Sequence, residues 1–333
     1  MSENTCIGAL DIGGTKIAAM VADASGPLAR LTQPTAKTGS PRALPEQCVA
    51  LLEAACRQAG IDAGRLSRVG VGSAGPFERS GGMIGLASPN ICGGGKNDPA
   101  LPNDWEVVPL EQVLRERFAH VTVDNDCVVA LAAERTFGAA RDERDCAYVT
   151  WSTGIGFGFC VDGHILRGKN GNAGHAGHML LSEREDAVCG CGNRGDLEAL
   201  ISGRNVGNRL NISAVELFGS ARAGNAEAHE AALQAARWFG RGLYNVTAAL
   251  DTRLFVIGGS VWTHHGAWLL PVVLRELESH LPALTRDVSL LPAALGGLVA
   301  DVGALSLVMP AEWVARWRDS KPWSKMRGAP DVS

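Results

Sequence analysis

Cys6-Ile-Gly-Ala-Leu-Asp-Ile-Gly-Gly-Thr-Lys-Ile-Ala-Ala-Met-Val-Ala22 sets two apolar runs on either side of a glycine pair. Short apolar runs bounded by glycine are strand signals, so Cys6–Leu10 and Ile17–Ala22 read as strands joined by the turn Asp11–Lys16. Gly13 and Gly14 leave backbone N–H groups unobstructed by a Cβ, which suits a polyphosphate. Thr15 adds a hydroxyl and Lys16 a cation, and Asp11 offers a carboxylate that holds Mg²⁺ through water. The same letters also describe a plain hairpin whose glycines serve only the turn.

Outward from this stretch the pattern recurs. Cys146–Trp151 is a strand that enters a second glycine-rich turn, Ser152–Gly158. A third buried strand, Leu254–Ile257, runs into Gly258-Gly259. Neither turn has the spacing of a P-loop or of a dinucleotide fingerprint, which excludes both folds. Helical spacing marks Leu44–Gly60, Leu110–Phe118, 225–250 and Trp268–His280. Residues 80–104, rich in Gly, Pro, Asn and Ser, read as a long loop. Duplicated strand–turn–strand units imply two α/β domains facing one cleft, 1–122 and 123–302, with a C-terminal helix over 303–318 returning to the first.

Val121–Val123 is a short strand leading into Asp124-Asn-Asp126, and a helix follows to about Phe137. A carboxylate at 126 can take the proton of an alcohol that attacks phosphorus. Local sequence alone reads as well as an N-cap.

The 333 residues are 46 % apolar and 20 % charged, which suits two ordinary folded cores. A net charge of −4 gives no reason to expect nucleic acid or an anionic membrane as partner. There is no apolar run of membrane-spanning length and no secretory pattern at the N-terminus. The nine cysteines are an odd number. We therefore expect a reducing, cytoplasmic setting.

Eight stretches, in this order, resemble the ROK family of repressors, open reading frames and sugar kinases within the actin-like ATPase superfamily. They are Gly8-Ala-Leu-Asp-Ile-Gly-Gly-Thr-Lys16, Gly72-Ser-Ala-Gly-Pro76, Ser88-Pro-Asn90, Val123-Asp-Asn-Asp126, Thr150-Trp-Ser-Thr-Gly-Ile-Gly156, Gly174-His-Ala-Gly-His178, Cys189-Gly-Cys-Gly-Asn-Arg-Gly195 and Val256-Ile-Gly-Gly259. The resemblance implies two ribonuclease-H-like (actin-like ATPase) domains with a cleft between them. It implies ATP-dependent phosphorylation of a hexose hydroxyl, glucose to glucose 6-phosphate first, with Asp126 as general base. N-acetylhexosamine, fructose and allose stand as alternative substrates. Asp11, Gly13, Gly14, Thr15, Lys16, Thr153, Gly154, Gly258 and Gly259 are implied at ATP, and Gly75, Asn90, Asn125, His175, His178 and Glu198 at the sugar. A homodimer or higher homo-oligomer is implied as well. A family regulator would carry a helix-turn-helix ahead of the first turn. With seven residues before Gly8 we expect none, and no DNA binding.

Three features depart from the family. Its metal motif is one His and three Cys around zinc; here His178, Cys189 and Cys191 are joined by Asp196 in place of the third Cys. A carboxylate also binds Zn²⁺, so the ligand set is either a structural His/Cys2/Asp site or a loop that has lost its ion. His175 stands where many relatives carry a sugar-gripping Glu, and cannot offer a bidentate acceptor. The segment Cys92–Asp104 extends a connection near the sugar-binding residues. Trp313, Trp317 and Trp323 read as a terminal helix packed on the first domain, or else as a basic amphipathic surface.

Overall fold

A computed structural model describes residues 5–94, 101–183 and 186–326. The chain begins with β1 (Cys6–Ile12), β2 (Lys16–Asp23) and β3 (Gly26–Pro34), then α1 (Ala43–Gln58) and β4 (Leu66–Ser73). A small hairpin, β5 (Phe77–Ser80) and β6 (Met83–Leu86), occupies part of the segment expected to be all loop. Next come α2 (Leu110–Arg117), β7 (Val121–Asn125) and α3 (Asp126–Phe137). Then follow β8 (Cys146–Trp151), β9 (Ile155–Val161), β10 (His164–Ile165), α4 (Leu197–Ile201), α5 (Ala214–Arg222) and α6 (Ala226–Leu250). The next run is β11 (Leu254–Gly258), α7 (Ser260–Glu278), α8 (Pro282–Thr285) and β12 (Ser289–Pro292). Last are α9 (Val299–Ser306) and α10 (Ala311–Ser320). The helix expected over 303–318 is thus two helices, because Pro310 cannot continue a helical hydrogen-bond ladder and instead starts the second. Helix α7 starts at Ser260, eight residues before the expected Trp268.

Contacts group the chain into two units, Met1–Asp142 with Arg167–Asn172 and Ala294–Ser333, and Glu143–Leu166 with Ala173–Ala293. Their sheets have matching topology. The first runs β3-β2-β1-β4-β7 and the second β10-β9-β8-β11-β12. In both, the first two pairings are antiparallel and the last two parallel. Each glycine-rich turn joins the same two strands of its sheet. The duplication read from the sequence is therefore a duplication of fold.

In the first unit the period-2 alternation of strands sends residues to opposite faces. Leu10, Ile12, Ile17 and Val21 pack with Leu44, Cys48 and Leu52 of α1. Ile7, Ala9, Met20 and Ala22 pack with Val302 and Leu305 of α9 and with Trp313, Trp317 and Trp323. The three tryptophans are buried at 6 %, 0 % and 3 % exposure, so the apolar face of the C-terminal segment is a core stripe rather than a surface. Helix α9 lies so near β4 that a Cβ on Gly70 would stand 1.9 Å from the Ala304 carbonyl oxygen. In the second unit β8, β9 and β11 contribute Trp151, Phe157 and Phe255 to a core closed by α4–α7. Trp151, Phe239 and Trp262 pack ring on ring at its centre.

Candidate active site

The register of the first sheet lines up the carboxyl ends of its parallel strands, where open α/β sheets bind ligands. Asp11, Gly72 and Asp124 form one row, and Ile12, Ser73 and Asn125 the next. Just beyond the rows lie the Gly13–Thr15 turn, Gly75 and Asp126. The turn is closed by a Gly13 N–H to Lys16 carbonyl bond of 3.0 Å. Thr35 braces it from outside: its N–H donates to the Thr15 carbonyl at 3.0 Å and its hydroxyl to the Gly13 carbonyl at 2.7 Å. Asn90 packs on the same turn, since a Cβ on Gly14 would come within 2.9 Å of the Asn90 Cβ. The Ala74 N–H donates to the Ile12 carbonyl at 3.2 Å and so carries Gly75 beside it.

Asn125, not Asp126, is the N-cap of α3, with Oδ1 accepting from the Cys127 N–H at 3.0 Å. Asp126 is the first helical residue, and its Oδ1 accepts from the same N–H at 2.8 Å. The cap position is thus filled by Asn125, and Asp126 stands one residue further on, at the start of the helix. Asp124 is buried, with Oδ1 accepting from the Asn125 N–H and Oδ2 paired to Arg167 Nε. Burial raises its carboxyl, and Arg167 opposes that shift. Burial pushes the Asp11 carboxyl up to about 7, helped by the carboxylates of Asp301 and Asp126 and opposed by Arg30 and Lys16. Asp301 is itself buried and bound through both oxygens to Arg30 Nε at 3.1 Å.

In the second unit the turn Ser152–Gly154 is shorter than the sequence suggested, because β9 resumes at Ile155. Gly203 N–H donates to the Ser152 carbonyl at 2.7 Å and Arg204 N–H to the Thr153 carbonyl at 3.2 Å. Glu198 Oε2 accepts from the Ile155 N–H at 2.9 Å, and a Cβ on Gly154 would stand 2.7 Å from that oxygen. Thr150 pairs with Gly258, which sets the end of β11 beside this turn. Gly259 has φ +90°, and a Cβ there would come within 2.4 Å of the Trp151 carbonyl oxygen. Only glycine meets both conditions. It begins α7, whose first N–H groups have no intrahelical partner and carry the positive end of the helix dipole.

His175 and His178 share one 3-10 turn, rings 6.0 Å apart, with the backbone of Gly177 against Ile155. His178, Cys189, Cys191 and Asp196 come together, each offering one ligand atom, all within 4.8 Å of one another. His178 Nδ1 lies 3.1 Å from Asp196 Oδ2, 3.7 Å from Cys189 Sγ and 3.5 Å from Cys191 Sγ. Cys191 Sγ lies 3.6 Å from Asp196 Oδ2. Zinc bonds of about 2.0–2.3 Å give tetrahedral edges of about 3.3–3.8 Å. The His178–Asp196 pair is tighter than that and the widest pair reaches no further than 4.8 Å, so the four side chains are gathered closely enough to hold a metal ion. The other oxygen, Asp196 Oδ1, caps α4 by accepting from the Ala199 N–H at 2.7 Å. The carboxylate is thereby fixed with Oδ2 toward the cluster.

Of the expected residues, Asp11, Gly13, Gly14, Thr15, Lys16, Gly75, Asn90, Asn125 and Asp126 gather in the first unit. Thr153, Gly154, His175, His178, Glu198, Gly258, Gly259 and the four cluster residues gather in the second. Residues 95–100 of the inserted segment Cys92–Asp104 lie outside the described residues. Thr35, Arg167 and Asp301, which brace or flank the expected residues, carry no local sequence signal.

The sequence model of the ROK family matches residues 7–310. A glucokinase of Aeropyrum pernix is 31 % identical over 273 residues, 74 % of this chain and 81 % of that protein. An N-acetylmannosamine kinase of Citrobacter koseri is 34 % identical over 300 residues, 86 % and 97 % of the two. Among solved structures, a ROK hexokinase from Thermus thermophilus superposes with a TM-score of 0.74 at 33 % identity, covering 90 % of this chain and 96 % of that one. A ROK glucokinase from Streptomyces griseus, solved with glucose and AMPPNP, gives 0.68 at 27 % identity, covering 91 % and 98 %.

Proposed function

The chain belongs to the ROK family and has its actin-like ATPase two-domain fold, and from that premise we propose an ATP-dependent hexose kinase in which Asp126 is the general base. The observation that carries the proposal is the row of strand ends: the Gly13–Thr15 turn, Gly75 and Asp126 leave the same edge of one sheet.

The Asp126 carboxylate takes the proton of the sugar hydroxyl as its oxygen attacks the γ-phosphorus of ATP, and ADP leaves. Catalysis is then mostly positioning and charge stabilisation. Asn90, Asn125 and Gly75 orient the sugar on the first unit; His175, His178 and Glu198 do so on the second. Backbone N–H groups at Gly13, Gly14, Thr15, Thr153 and Gly154 bind phosphate oxygens, Lys16 supplies positive charge, and Gly258-Gly259 borders the nucleoside. Asp11 would hold Mg²⁺, and that cation would neutralise charge on the phosphates. A buried carboxyl flanked by Asp126 and Asp301 is a place where a cation relieves repulsion. His178, Cys189, Cys191 and Asp196 fit a structural Zn²⁺.

Glucose is the first substrate to test. The relative named N-acetylmannosamine kinase, at 34 % identity over 86 % of the chain, supports that amino sugar as a second reading. Fructose and allose stay within the same chemistry. No helix of the described residues is long and apolar enough to cross a membrane, and we place the enzyme in the cytoplasm as a homo-oligomer. ADP release measured over glucose, mannose, N-acetylmannosamine, N-acetylglucosamine, fructose and allose tests the proposal. Sugar-dependent turnover with one of them supports it, and none across the panel with Mg²⁺–ATP rejects it.

A further inference from the structure

Glu198 touches two features of the second unit at once. Its Oε2 accepts from the Ile155 N–H at 2.9 Å, at the exit of the Ser152–Gly154 turn. Its Oε1 accepts from the protonated Cys189 thiol at 3.4 Å, a bond that a metal-bound thiolate does not make. Its standing link to the metal-ligand cluster is therefore Asp196, two residues earlier in the chain. We propose that Glu198 is a positioning residue through which an ion bound by His178, Cys189, Cys191 and Asp196 holds the Ser152–Gly154 turn in its nucleotide-binding shape. The proposal rests on the reading of that turn as a phosphate turn.

Three observations carry it. First, one short stretch of chain, 196–204, bonds the turn from outside: Glu198 bonds Ile155, Gly203 bonds Ser152 and Arg204 bonds Thr153. Second, that stretch begins at Asp196, a cluster residue and the N-cap of α4. Helix α4 is only five residues long, far below the length at which a helix supports itself, so its position depends on what fixes its ends. An ion bound to Asp196 Oδ2, with Oδ1 still capping Ala199, fixes the first end and with it the side chain two residues on. Third, the turn packs directly on the carboxylate: a Cβ on Gly154 would stand 2.7 Å from Glu198 Oε2 and would push that side chain from its place. A shift of α4 is passed straight to the turn.

The test uses the full-length protein and two readouts, amide hydrogen exchange at Ile155 and affinity for a non-hydrolysable ATP analogue measured by calorimetry. Removing the ion with a strong chelator is expected to speed Ile155 exchange about tenfold, the loss of one charge-assisted hydrogen bond. Analogue binding is expected to weaken about fivefold, a typical coupling between sites. In metal-loaded Glu198→Ala both changes are already present, with metal content unaltered, and chelation adds less than about twofold more. Glu198→Gln keeps an acceptor for the Ile155 N–H and is expected to behave as wild type in the exchange readout. Equal chelation effects in wild type and Glu198→Ala overturn the proposal, as does an unchanged Ile155 amide in either state. A protein that arrives without an ion and takes up no Zn²⁺ overturns it too. Where chelation also exposes the amides of β8, the metal-loaded Glu198→Ala comparison decides. A wild-type protein that binds no nucleotide rejects the phosphate reading of the turn, while the exchange data still decide the link between Glu198 and the cluster.

Discussion

Arg167 Nε donates to Asp124 Oδ2 at 2.7 Å and covers a carboxylate that is 4 % exposed, two residues before Asp126. The pair joins the end of β7 to the Arg167–Asn172 segment. Asn172 fastens the other end of that segment, accepting from the Phe77 N–H at 2.7 Å and donating to the Phe77 carbonyl at 2.8 Å.

Removing Arg167 leaves Asp124 buried beside the base without its cation. Arg167→Ala is expected to lower kcat about tenfold or more, since small misplacement of a base is costly. The loss of stability is about 1–2 kcal/mol, reduced because the guanidinium is half exposed. Steady-state kinetics and urea unfolding check both, and Arg167→Lys should recover part of kcat.

Asp126→Asn is expected to reduce kcat by about a hundredfold to ten-thousandfold, the usual worth of a general base. Sugar affinity, measured by calorimetry without ATP, should stay within about threefold of wild type. A variant with near-normal kcat removes Asp126 from its proposed role.

The raised carboxyl of Asp11 has a consequence for stability against pH. Its folded value, about 7, lies above the unfolded value near 3.8, so the native state holds the extra proton between them. Stability from this group is therefore greatest below about pH 4 and declines as pH rises to about 7. In the absence of divalent cations, Asp11→Asn is expected to flatten that decline in urea titrations from pH 4.5 to 7.5. Mg²⁺-dependent binding of the ATP analogue should weaken in the same variant.

Glu134 is fully buried, with Oε1 accepting from the Leu295 N–H at 3.0 Å and Oε2 from the Ala139 N–H at 2.7 Å. Glu134→Ala orphans two backbone donors and opens a cavity, at a cost of about 3–5 kcal/mol by urea unfolding. Glu134→Gln keeps only one acceptor and is expected to fall between that variant and wild type.

Elemental analysis is expected to find about one zinc per chain, and Cys189→Ser or Asp196→Ala to lose most of it, since a structural site needs its whole ligand set. Asp196→Cys, which restores the family's ligand chemistry, should keep the ion and lose the Ala199 cap.

What could be read from the letters was what depends on neighbours in sequence. The two glycine-rich turns and the strand-to-helix junction at Asn125-Asp126 are local events, and they lie where glycine and capping preferences placed them. Helix α7 began early because His264-His265, Gly266 and Pro271 broke up its apolar spacing without breaking the helix. The start of strand β9 was hidden because Gly156 and Gly158, on either side of the buried Phe157, read as part of the turn. The braces escaped for another reason. Arg167 meets Asp124, and Glu198 meets Ile155, each across 43 residues, so no window along the chain contains either pair.

The first unit is assembled from three separated pieces of chain, and α9 and α10, which complete it, come last. A ribosome must therefore translate past both units' earlier segments before Gly70 can receive Ala304, or Phe137 can meet Trp317 and Trp323. Until then the face of β1 that carries Ile7 and Ala9 stays uncovered during synthesis, a stage at which nascent chains aggregate or engage chaperones.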